Sequence, residues 1–169
     1  MLDRGDFEPV FFAPFVASSV RVDNEWTDYN GHLNAAHYNV LFDRAVDEAA
    51  RLLGLGPRYA TARGGSVFTV ESHVRYLREV PGNAPVRVAL RLVDYDEKRI
   101  HLFHCLHHAG EGWIAATAEQ MAVHVDLKTR RVVPFPDDVL ERIATMRAAH
   151  AALPQPQGLG RQVNMPAHS

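Results

Sequence analysis

An α+β fold, one long helix against a mainly antiparallel sheet, is what the order of apolar patterns in this chain predicts. Three observations carry the prediction. Ala35–Leu53 repeats apolar residues at helical spacing. The long segments after it either alternate between two faces or run apolar over strand lengths. Short turn signals separate those segments, so they are expected to follow one another as hairpins.

Along the chain, residues 1–13 read as an extended lead-in, because Pro9 and Pro14 block a helix. Phe15–Asp23 reads as a first strand. In Ala35–Leu53 the residues Tyr38, Leu41, Phe42, Ala45, Ala49, Leu52 and Leu53 form one apolar face. Asn34 is placed to cap its start, and Gly54 with Gly56-Pro57 to stop it. In Ser66–Arg78, Val67, Thr69, Glu71, His73 and Arg75 alternate with Phe68, Val70, Ser72, Val74 and Tyr76. Pro81-Gly82-Asn83 is a turn. Pro85–Tyr95, Arg99–His108 and Trp113–Asp126 are strands joined at Asp96-Glu97-Lys98 and Gly110-Glu111-Gly112. Lys128-Thr129-Arg130 leads to a short strand, Arg131–Pro134. Asp138–Leu153 is a second helix, with Val139, Leu140, Ile143, Met146 and Ala149 as packing positions. Residues 1–153 are therefore read as a single domain. Residues 154–169, rich in Pro, Gln, Gly and Asn, are expected to lack fixed structure.

The 169 residues suffice for one real core, and 47% hydrophobic with 22% charged is ordinary for a soluble globular protein. A net charge of −2 gives no reason to expect nucleic acid or an anionic membrane as partner. Cys105 is the only cysteine, so no internal disulfide forms, as suits a cytoplasmic protein. The first residues lack the basic and apolar regions of a signal peptide, and no stretch approaches membrane-spanning length.

The most informative stretch is Trp26–Asn34. It sets a carboxylate, Asp28, and an Asn30-Gly31 turn directly before the long helix. A helix start carries unpaired N–H groups and partial positive charge, so an acid beside it suits attack on a polarised carbonyl. A plain turn leading into a cap is the alternative. Metal binding is not expected despite ten histidines. On one strand His101 and His104 point to opposite sides, and His101 and His107 lie about 20 Å apart.

Asp28-Tyr-Asn-Gly31-His32-Leu-Asn34, followed by Tyr38, Phe42, Asp43 and Ala45, is similar to the signature of hotdog-fold acyl-CoA thioesterases of the 4-hydroxybenzoyl-CoA thioesterase-like group. The resemblance spans roughly Phe15–Val133. Three further stretches resemble the betainyl-CoA thioesterases of bacterial carnitine breakdown. They are Phe68-Thr-Val-Glu71-Ser-His73-Val-Arg75, Asp96–His104, and Thr117-Ala-Glu119-Gln120-Met121 with His124-Val-Asp126. Those enzymes occur alone or fused to carnitine dehydrogenase. With no Gly-rich nucleotide motif, the chain resembles the stand-alone form.

The resemblance implies hydrolysis of an acyl-CoA, with Asp28 as nucleophile or general base and the Ala35 backbone N–H polarising the carbonyl. It implies no cofactor, CoA being part of the substrate, and a homodimer or homotetramer. His32 either orients Asp28 or lines the site, with a hydrogen bond to the turn as the alternative. Asn34 caps the helix, touches substrate, or both. Glu71 is a site candidate if its strand face meets the cleft, and Glu119 a weaker one. Trp26, Tyr29, Phe68 and Trp113 are candidates to hold a trimethylammonium group, with core filling as the alternative. Arg75, Arg78, Lys98 and Arg99 are candidates for CoA phosphates. A non-catalytic acyl-CoA binder and a hotdog hydratase or dehydratase are the competing functions.

Overall fold

The computed structural model describes residues 11–167. Pro9 and most of the expected lead-in lie outside them. The chain order is β1 (Phe15–Val16), β2 (Val20–Arg21), a 3-10 turn (Asn24–Trp26), α1 (Ala35–Leu52), α2 (Pro57–Arg63) and β3 (Gly65–Tyr76). It continues with β4 (Pro85–Tyr95), β5 (Arg99–His108), β6 (Ile114–Asp126), β7 (Arg131–Val132) and α3 (Asp137–His150). The fold is α+β. All strand pairs are antiparallel, in the order β1-β4-β5-β6-β3, with β2 beside β4 and β7 beside β6.

Helix α1 forms where the periodicity puts it. Its inner face buries Tyr38, Leu41, Phe42, Ala45 and Ala49, and the Asn34 side chain accepts the Ala36 N–H at 3.0 Å. Under its first half lie Val86, Val88, Leu106 and Ala118. Under its second half lie Leu90, Leu92, Ile100 and Leu102, shared with Val139, Ile143 and Met146 of α3. A fully buried Leu or Ile contributes about 1.5–3 kcal/mol, so this face, not propensity, holds the helix down.

Several expectations need correction. The strand expected over Phe15–Asp23 is split, because the Ser18 N–H and hydroxyl turn aside to Glu48 Oε2 at 3.0 and 3.1 Å. Helix α2 was not anticipated; seven residues are too few for a period, although Pro57 at its start and Gly64 (φ +68°) at its end mark it. β3 does not form a hairpin with β4. It crosses to pair with β6, because the connecting segment is anchored at the loop before α1: the Leu33 N–H donates to Val80 O at 2.7 Å, and Val80 is fully buried.

The two-face reading of β3 also fails. The register shifts between Thr69 and Glu71, leaving Val70 as a bulge. Val67, Ser72, Val74 and Tyr76 therefore face α1, while Glu71, His73 and Arg75 face away from it. Ser72 meets Gln120, whose amide oxygen contacts His104 Nε2 at 2.9 Å beneath Phe42. On the opposite face His101 Nε2 lies 2.8 Å from Glu119 Oε1.

α3 ends at a buried His150, which accepts the Leu92 N–H at 3.0 Å and bonds Phe12 O at 2.7 Å. The residues from Pro154, expected to lack fixed structure, are placed across the outer sheet face. Arg91 donates to the carbonyls of Leu153 and Pro154, and the Gly160 N–H donates to Glu119 Oε2 at 2.7 Å. Among the described residues no helix is long and apolar enough to cross a membrane.

Candidate active site

The residues ahead of α1 build a small looped-back turn. Thr27 bridges Leu33, the Asp28 N–H donates to His32 O at 2.9 Å, and the Gly31 N–H donates to Asp28 O at 3.0 Å. Gly31 sits at φ +76°, which favours glycine here. Asp28 Oδ1 accepts the Asn30 N–H at 2.8 Å, closing the turn on itself. Among the described residues Asp28 Oδ2 has no hydrogen-bond partner. One oxygen thus fixes the carboxylate and the other is free to act.

The loop is held against the crossover after β3. His32 bridges Pro81, and His32 Nε2 lies 3.6 Å from Glu79 Oε2. Between loop and crossover opens a cleft of ≈ 320 Å³, lined by Asp28, Asn30, His32, Leu33, Ala35, Tyr38, Tyr76, Leu77, Arg78 and Glu79. Asp28 and His32 are half-buried there. Ala35 is the first helical residue, so its N–H has no acceptor within the helix, and none among the described residues elsewhere. An anion-favouring helix start and a half-free carboxylate therefore share one cleft.

Tyr76 reaches in from the end of β3. Its hydroxyl donates to Ala35 O at 3.2 Å, and its ring meets Tyr38 edge to face at 4.9 Å and 80°. Burial, with Tyr76 and Glu79 adding, pushes the Tyr38 hydroxyl up from its ordinary value, so it stays a neutral donor.

Of the residues singled out from sequence, the fold brings Asp28, His32 and Ala35 into this cleft. Asn34 lies beside it as the α1 cap. Trp26 packs on the core edge, stacked with His37 and covered by Arg44 at 5.2 Å. Tyr29 is 98% exposed. Phe68 is exposed on the edge strand. Trp113 lies under Arg78 at 4.0 Å. Glu71 lines a separate cavity of ≈ 210 Å³ on the outer face, with His73, His101, Glu119 and the tail. Sequence reasoning missed Tyr76 and Glu79 as cleft residues, and Tyr38 as more than core; Arg78, singled out for CoA phosphates, lines the cleft. The signal of Tyr76 and Glu79 was faint: they stand more than forty positions after Asp28 and come to its cleft only in the folded chain.

A loop-borne carboxylate at the start of a central helix packed on an antiparallel sheet is the arrangement of a hotdog fold with a candidate acid-bearing site. The match to the thioesterase-like superfamily covers residues 22–143, and the chain belongs to that family. It is 42% identical over 142 residues to the betainyl-CoA thioesterase of Pseudomonas aeruginosa, covering 84% of this chain and 89% of that one. It is 39% identical over 150 residues to the L-carnitine dehydrogenase/betainyl-CoA thioesterase of Rhizobium meliloti, covering 89% of this chain and 30% of that longer protein. A Staphylococcus aureus protein solved in complex with CoA superposes with a TM-score of 0.85 at 30% identity, covering 93% of this chain and 98% of that one.

Proposed function

We propose that the chain hydrolyses betainyl-CoA to betaine and CoA, with the thioester carbonyl seated between Asp28 Oδ2 and the Ala35 N–H. The single observation that carries this reading is the pairing of a half-free carboxylate with an unpaired helix-start N–H in one cleft. The Ala35 N–H stabilises the oxygen as negative charge develops on it. Oδ2 either takes the proton of the attacking water or attacks the carbonyl carbon itself. In both routes the C–S bond breaks and the thiolate leaves and is protonated; in the second, water then hydrolyses the acyl–Asp28 anhydride, releasing betaine and restoring Asp28. No cofactor is needed. His32 joins the cleft as a positioning residue between Asp28's turn and Glu79. The reaction belongs in the cytoplasm.

The working unit is a homodimer formed through β3. That strand is an open edge of twelve residues carrying Phe68, Val70 and Tyr76, each 39–59% exposed. Such an edge invites a second strand, and an identical copy satisfies it symmetrically. Light scattering at micromolar concentration tests the dimer.

A panel of acyl-CoAs, with released CoA trapped by a thiol reagent, tests the reaction. Thiol release greatest with betainyl-CoA is expected. Tight acyl-CoA binding without release would favour a non-catalytic binder and end the proposal.

A further inference from the structure

We propose that Tyr76, Tyr38 and Glu79 form the acyl-recognition corner of the cleft and select a short acyl group ending in a quaternary ammonium. This rests on the hydrolase reading of the same cleft. One methylene separates the quaternary nitrogen of a betainyl group from its carbonyl carbon. When the carbonyl sits at Asp28 and Ala35, the cation lies in the same ≈ 320 Å³ cleft, within reach of the residues that line it.

Three other aromatic rings already carry an arginine, and Phe68 lies on the β3 edge outside the cleft. Trp26 carries Arg44 at 5.2 Å and Trp113 carries Arg78 at 4.0 Å. Tyr59 carries Arg63 at 5.4 Å. Tyr29 is 98% exposed, with nothing enclosing it. Tyr76 is different: it is 51% exposed, lines the cleft, and is fixed at both ends. Its hydroxyl holds Ala35 O, and Tyr38 braces its ring. A quaternary ammonium against such a ring is attracted by the ring quadrupole.

Charge points the same way. Besides Asp28, the cleft carries Glu79, whose Oε2 lies 3.6 Å from His32 Nε2. Arg78 is the cleft's one arginine or lysine, and its guanidinium lies on Trp113. The corner therefore presents aromatic surface and a carboxylate, complementary to a soft cation. A neutral acyl group of the same shape gains nothing from Glu79.

The experiment compares kcat/KM for betainyl-CoA with that for 3,3-dimethylbutyryl-CoA, its uncharged carbon isostere. The wild-type ratio is expected well above one. Glu79→Gln and Tyr76→Leu should each lower it about tenfold, whereas Tyr76→Phe, which keeps the ring, should lower it far less. The ratio cancels losses from misfolding or reduced dimerisation, which strike both substrates alike. A wild-type ratio well above one that survives both variants overturns the assignment of these residues alone. A wild-type ratio of one or less overturns the betainyl-CoA reading together with it.

Discussion

Replacing Ala35 by proline removes the one N–H on which carbonyl polarisation rests while leaving the helix able to form. Ala35 is the first residue of α1, where a proline loses no helical hydrogen bond and its fixed φ fits. Asn34 before it sits at φ −65°, ψ 139°, the extended conformation that a following proline prefers. The cap bond from Ala36 N–H to Asn34 Oδ1 stays available. Ala35 is exposed, so the ring meets no core atom. The expected change in stability is therefore within about 0.5 kcal/mol. Loss of an oxyanion donor, by contrast, removes about 3 kcal/mol of transition-state stabilisation, or roughly two orders of magnitude in kcat. Ala35→Gly keeps the N–H and serves as the companion variant. Thiol-release kinetics and thermal melts on the three proteins decide the matter. An Ala35→Pro enzyme that melts like wild type and turns over within about threefold of it would refute the oxyanion role.

Two further outcomes are expected. Burial holds the His104 imidazole down to about 4 from its ordinary 6.5, only partly offset by its bond to Gln120. The unfolded chain binds that proton at the higher pH, so His104 lowers stability as pH falls from 6.5 towards 4, by up to roughly 3 kcal/mol, and has no such effect above. Urea midpoints against pH should fall less steeply in His104→Asn; an unchanged slope would contradict this. Val70→Lys places a charge on the exposed bulge of β3 and should shift the protein to monomer by light scattering. An intact dimer would place the interface elsewhere.

Much of this was legible in the chain because it depends on local pattern. The buried stripe of α1, its Asn34 cap and the β4–β5–β6 hairpins follow from spacing and turn residues alone. Asp28 stood out for the same reason: it precedes a cap by a short, glycine-bearing turn. What stayed hidden was set by partners distant in sequence. The bulge at Val70 leaves the polar alternation of β3 looking regular on either side, since an edge strand is not forced to bury one face. It nonetheless sends Glu71 to the outer sheet surface and Tyr76 to the cleft. Likewise Glu79 lines the cleft beside Asp28 because Val80 is buried and its carbonyl takes the Leu33 N–H, a pairing no local motif announces.

Exchanging one oxygen for nitrogen at position 28 puts the central claim to its most direct trial. Asp28→Asn keeps the size of the side chain and an oxygen for the Asn30 N–H, and removes the charge from the other arm. With betainyl-CoA at saturation and melting behaviour matched to wild type, kcat should drop at least about a hundredfold. Undiminished release of CoA from the asparagine variant would mean that the thioester is cleaved somewhere else.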